Sequence, residues 1–130
     1  MGTVSPDSRW IAYTSDEAGT TEVYVQSFPT PGPKTRISSG GGRQPAWRHD
    51  GRELFYVADD RKLMAVPTAL QPAFKPGPAQ VLFQLPNIVN VSRQFAVSPD
   101  GLRFLALDLD PVRQQTRITL VTNWEAAQRP

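Results

Sequence analysis

"VSPDSRW" occupies residues 4 to 10, and similar stretches return as "WRHDGRE" at 47 to 53 and "VSPDGLR" at 97 to 103. Each runs from a hydrophobic residue through a turn-prone pair to Asp, then Gly or Ser, then a polar step into an apolar run. The aligned Asp7, Asp50 and Asp100 are spaced by 43 residues (7 to 50) and 50 residues (50 to 100). Periods of about 40 to 50 residues belong to propeller blades or to helical repeats. The apolar runs decide between them. Trp10 to Thr14, Leu54 to Ala58 and Arg103 to Leu107 follow the three motifs; Glu22 to Gln26, Lys62 to Val66 and Arg117 to Val121 follow a polar gap. All are strand-length, β-branched or aromatic, and bounded by turn residues, and none extends to a 3.6-residue period. Runs such as Leu54 to Ala58 are apolar on both faces, which suits a strand whose sheet is packed between two others. The expected fold is all-β: a partial β-propeller of about three blades of four-stranded antiparallel sheet.

This explains the recurrence. The Asp-Gly step is a turn device between the first and second strands of a blade, with the Asp carboxylate accepting from nearby backbone N–H groups and Gly supplying positive φ. Asp7, Asp50, Gly51, Asp100 and Gly101 are the expected structural turn residues. The chain reads as one domain over 1–130, with blades at about 2–38, 44–83 and 93–122. Strands are expected near 2–5, 9–15, 21–28 and 34–38, then 44–48, 53–58, 62–68 and 79–83, then 93–98, 103–108 and 116–122. The third blade shows no evident outer strand, and Met1-Gly2 running straight into a motif reads as a cut in a longer protein.

Composition narrows the function. A hydrophobic fraction of 39% and a charged fraction of 20% fit a globular protein, and 13 Pro and 9 Gly fall between the apolar runs as turns. The absence of Cys excludes disulfides and thiolate metal sites. A net charge of +2, with Arg scattered along the chain, gives no basic stripe, so no nucleic-acid partner is expected. No apolar stretch approaches the roughly 18 residues of a membrane span, so this segment is not expected to insert, and the N-terminus does not read as a signal peptide.

"VSPDSRWIAYTSDEAGTTEVYVQSF" and "RQFAVSPDGLRFLALD" resemble the Ser-Pro-Asp-Gly repeats of TolB-type, WD40-like bacterial β-propellers. The resemblance extends through "RQPAWRHDGRELFYVADDRKLMAV" and "FKPGPAQVLFQL" to the closing "ITLVTNW". Arg48-His49 replaces Ser-Pro in the second copy, and Ser8 replaces Gly in the first. The closing tail resembles those of extracytoplasmic propellers attached to some bacterial Ser/Thr kinases, which implies a periplasmic or extracytoplasmic location. Propellers host unrelated activities, so the resemblance bears on fold more than on function.

Candidate chemistry is sparse. His49, the sole histidine, stands in a turn slot, and no Gly-x-Ser-x-Gly elbow accompanies it. "SSGGGR" (38 to 43) lacks the Gly-Lys-Ser/Thr ending of a phosphate loop and reads as a flexible crossing between blades. Asp108 and Asp110 could share a strand face but have no further ligands nearby in sequence, so they read as a solvated loop rather than a metal pair. Trp47, in an expected inner strand, reads as core rather than as a sugar-stacking platform. "NVS" at Asn90 has the form of a glycosylation acceptor but is set aside, since such tripeptides arise by chance and the resemblance is bacterial. No enzymatic activity, cofactor or metal is expected. In propellers, ligands usually meet the face carrying the second-to-third-strand loops and the blade crossings. Asp16, Glu17, Arg43, Gln44, Asp59, Asp60, Arg93 and Gln94 fall there, a mixture suited to a protein or peptide partner. The expected function is a non-catalytic interaction or sensor module that closes by self-association, with a homodimer completing six blades. The alternative is the propeller of a prolyl-oligopeptidase-like hydrolase separated from its catalytic domain.

Overall fold

The computed structural model describes residues 2–85, 95–98, 103–110 and 115–122 and, within the last two stretches, the side chain of Phe104 alone. Among these residues the chain forms strands and turns without helix, in three successive antiparallel sheets. The first orders β1 (Gly2–Val4), β2 (Trp10–Ser15), β3 (Glu22–Ser27) and β4 (Thr35–Arg36). The second contains β5 (Gly42–Trp47), β6 (Glu53–Ala58), β7 (Lys62–Ala69), β8 (Lys75–Pro76) and β9 (Gln80–Gln84). The third contains β10 (Phe95–Val97), β11 (Arg103–Asp110) and β12 (Gln115–Thr122).

The second sheet shows why its strands are apolar on both faces. Side chains alternate along a strand, so Leu54 and Tyr56 of β6 point one way and Phe55 and Val57 the other. The first pair packs against Ala12, Val23 and Val25 of sheet one, joined by Trp47 and Val66. The second pair packs against Phe95 and Phe104 of sheet three, joined by Leu63, Ala65, Leu82 and Leu85. Phe55 and Phe104 meet edge to face with centroids 5.2 Å apart, and Phe83 approaches Phe104 at 5.6 Å. Edge-to-face contact sets the positive ring edge on the negative face and adds to the burial of both rings. The core is thus two layers separated by sheet two, as in stacked propeller blades.

Trp47 lies in the first of those layers, 8% exposed, with its indole N–H donating to Thr3 O at 3.0 Å and its ring edge-on to Phe74. Trp10 donates to Leu70 O at 3.1 Å from the same layer.

Two details of sheet two were not legible as a simple four-strand blade. The inner part of β7, Lys62 to Ala65, pairs with β9, whereas its end, Thr68–Ala69, pairs with the two-residue β8. Pro67 sits between these stretches. The Thr68 amide donates to Arg52 O on the β6 side, so Pro67 faces the β8 side, where its carbonyl accepts from Gly77 N at 2.7 Å and its ring nitrogen donates nothing in return. A register shift between Arg43 and Ala46 also bulges β5, with Gln44 at φ 56°. One expectation is corrected: Asp108 and Asp110, read as a solvated loop, belong to β11, opposite Arg117 and Gln115. The Leu-rich alternation of 103–110 continues the ladder to Asp110.

Candidate functional site

Two ends of the stack carry loops. At one end lie the β2–β3 and β6–β7 turns and the crossing from β4 to β5; at the other lie the Asp turns.

The crossing end is organised by Glu22, the first residue of β3, which is fully buried. A buried carboxylate is costly unless its oxygens are satisfied. Ser38 Oγ donates to it at 2.5 Å, Arg36 Nη2 at 2.7 Å, and the Gly41 amide is shared by both oxygens at 3.1 Å. Ser38 Oγ also accepts from the Val23 amide at 2.8 Å. Burial pushes the Glu22 pKa up, but the Ser38 hydroxyl, the Gly41 amide and Arg36 together outweigh it and hold the carboxyl below its ordinary value. The Gly-rich stretch is therefore a crossing, as read, but a pinned one rather than a flexible one. Its glycines are required by close approach: a Cβ on Gly41 (φ +112°) would stand 2.7 Å from Asp59 Cβ, and one on Gly42 2.5 Å from Ser38 Cβ.

Outside this anchor lies an open depression of about 430 Å³ lined by Ser39, Gly40, Gly41, Ala58, Asp59 and Asp60. Asp59 is largely exposed and faces Arg43 at 3.8 Å. Asp60 Oδ1 accepts from the Lys62 amide at 3.2 Å, and its other oxygen meets Lys62 Nζ at 3.4 Å. The amide bond, ahead of the ammonium, holds the Asp60 pKa below the usual carboxylate value.

The structure thus gathers Arg43, Asp59 and Asp60 at one rim. Gln44 is buried at the β5 bulge instead of standing in a loop. Asp16 is exposed in the β2–β3 turn, where its carbonyl accepts from Gly19 N, and Glu17 is ion-paired with Lys34 of its own sheet. Arg93 and Gln94 lie outside the described residues. The Glu22–Arg36–Ser38 group was missed by sequence reasoning, because nothing in a one-dimensional pattern separates a buried Glu at a strand start from a solvated one.

At the opposite end, Asp7 Oδ1 accepts from Ser5 Oγ at 2.5 Å and Arg9 N at 3.1 Å, and Asp50 Oδ1 accepts from Arg52 N at 3.0 Å. Gly51 has φ +76°, and Ser8, its counterpart, is held at φ 62°. Arg48 bridges Asp50 at 3.3 Å and Glu53 at 3.2 Å, while His49 is exposed. Asp100 and Gly101 lie outside the described residues. The contacts made by Asp7 and Asp50 are those that close a tight turn, and they leave each Oδ1 occupied.

TolB from Acinetobacter baumannii superposes over 94% of this chain and 29% of its own, with a TM-score of 0.67 at 14% identity. The fold is that of a TolB-like β-propeller. An oligogalacturonate lyase from Vibrio parahaemolyticus matches at TM-score 0.64 and 15% identity, over 92% of this chain and 35% of its own. A putative 6-phosphogluconolactonase from Bacteroides uniformis matches at TM-score 0.54 and 15% identity, over 93% and 39%. No family model and no curated protein matches the sequence. The chain spans between about a quarter and two fifths of the length of these propellers. At these identities the likeness concerns the fold, and the three sheets can be called blades one, two and three.

Proposed function

We propose that this partial propeller is a non-catalytic module for protein or peptide interaction or sensing, and that it closes by self-association. The observation that carries the reading is the pair of blade faces left without a neighbouring sheet among the described residues. Val4, Ile11 and Tyr13 lie on the side of blade one opposite Ala12, which packs against blade two. On blade three, the ladder sets Leu105, Leu107, Ile118 and Leu120 at positions of opposite parity to Phe104, whose ring packs on blade two. Burying such faces is the strongest association drive available to the chain.

The binding face in this reading is the crossing end, where a shallow, polar depression with two carboxylates and Arg43 at its rim suits the side chains and backbone of a peptide. A non-catalytic role is supported by the placement of His49 in an exposed turn, away from the Glu22 anchor on the crossing end. Two experiments test the proposal. A peptide-library screen should yield binders whose affinity falls on Asp59→Ala or Asp60→Ala with the melting temperature unchanged; binders indifferent to both would move the site elsewhere. A broad esterase, peptidase and phosphatase screen should be blank, and activity removed by His49→Ala in a folded protein would overturn the non-catalytic reading.

A further inference from the structure

One wall of the crossing-end depression is bare backbone, formed by Ser39, Gly40 and Gly41. On either side of it the chain is tied to blade one by backbone bonds. Ile37 N donates to Val23 O at 2.8 Å before the wall, and Gly42 N donates to Thr21 O at 2.9 Å after it. The wall itself is held by a side chain: the Gly41 amide lies 3.1 Å from each oxygen of the Glu22 carboxylate.

The held glycine touches the opposite rim. Gly41 belongs to the crossing that leaves blade one, and Asp59 to the β6–β7 turn of blade two. A Cβ on Gly41 would stand 2.7 Å from Asp59 Cβ and 2.9 Å from its Cγ, whereas one on Gly40 would meet nothing within 4 Å. Asp59 therefore lies against the Gly41 Cα on one side and faces Arg43 at 3.8 Å on the other. A displaced Gly41 would free the Asp59 carboxylate from one of its two neighbours.

Holding Gly41 in this way calls for a carboxylate. Glu22 accepts from Ser38 Oγ, Arg36 Nη2 and Gly41 N, and Thr20 Oγ1 stands 3.4 Å from its Oε2. All of these partners donate, so an amide at this position would turn its own NH2 toward one of them. The charge is also felt across the seam between blades. Burial, and after it the Glu22 charge, push the phenol of Tyr56 on β6 above its ordinary pKa. We infer that Glu22 is a positioning residue: fully buried and beyond the reach of any ligand, it sets the affinity of the depression by holding Gly41 against Asp59. The inference rests on the peptide-binding reading above and adds to it the residue that shapes the site from beneath.

The test is a double-mutant cycle on the full chain, with a fluorescein-labelled peptide from the library screen as probe. Glu22→Gln should weaken binding about tenfold when Asp59 is present and less than about threefold in the Asp59→Ala background, because both changes act on one contact. Equal factors in the two backgrounds, or an unchanged affinity, would overturn the inference. Asp50→Ala loosens a turn at the other end and should leave the affinity at its wild-type value. A matching loss there would show that binding follows overall stability rather than the position of Gly41, and would equally overturn it. Amide exchange at pH 7 gives a readout without ligand: the Gly41 N–H should exchange faster in Glu22→Gln while the Val25 N–H does not, and equal acceleration of both would contradict the inference. Near-UV circular dichroism of Trp10 and Trp47 reports folding. Should Glu22→Gln fail to fold, Ser38→Ala takes its place in the cycle, since Ser38 is 2% exposed and donates to the same carboxylate. A screen that yields no peptide sensitive to Asp59 removes the peptide-binding reading and this inference with it; a peptide that needs Asp59 and ignores Glu22 removes this inference alone.

Discussion

Blade two and blade one share a ladder and differ in what covers them. Leu54, Tyr56 and Val66 are buried to between 0% and 4% exposure, whereas their equivalents Ile11, Tyr13 and Gln26 are half-buried. The same strand chemistry thus does two jobs. In blade two it holds the chain's own fold together on both sides; in blade one the outward half leaves Val4, Ile11, Tyr13 and Gln26 partly exposed, with Tyr24 buried. Substitutions at equivalent positions should therefore separate folding from association.

The largest effect is expected at Phe55, fully buried and edge-on to Phe104. Phe55→Ala should lower unfolding free energy by about 3–5 kcal/mol, measured by urea denaturation. Its ladder equivalent in blade one is Ala12, so blade two is the place where large side chains fill the space between sheets. A loss under 1 kcal/mol would mean that blade three does not seal this layer.

Next is Glu22. Glu22→Ala removes several charge-assisted hydrogen bonds and should cost about 2 kcal/mol. Because the folded carboxyl titrates below its unfolded value of about 4.3, its contribution is complete above that pH and is lost as pH falls through the folded pKa. Stability measured from pH 6 down to pH 3 should therefore decline, and Glu22→Gln should flatten that decline. An unchanged acid limb would show that the carboxylate is not what the crossing depends on.

Asp50→Ala should cost on the order of 1 kcal/mol through the lost Arg52 amide contact, with peptide binding at the far end unaffected. Unchanged stability with lost binding would turn the Asp turn into a ligand site. The smallest effect sharpens the contrast between the first two turns. Ser8 holds the left-handed conformation that Gly51 adopts freely, so Ser8→Gly should gain about 1 kcal/mol.

The strands were legible because short β-branched and aromatic runs bounded by turn residues, and the spaced Asp turns, are local signals, and both survive in a single sequence. Asp7 and Asp50 could be placed for the same reason, since a carboxylate and an amide two residues on meet within one turn. The bulge at Gln44, the split pairing of β7 and the burial of Glu22 were not legible. Each depends on a partner distant in sequence: Glu22 is satisfied by Ser38 and Gly41, and β7 finds β8 and β9 only after the sheet has formed. The candidate site was half visible on the same grounds. Asp59 and Asp60 announce a turn, but their meeting with Arg43 and the Gly40–Gly41 crossing is tertiary.

Whether the outward faces of blades one and three are interface is decided most directly by mass. Light scattering on a size-exclusion column, run over a dilution series, should report twice the chain mass throughout, as an obligate apolar contact requires. A folded species at the chain mass, with both free faces tolerating water, would contradict the account.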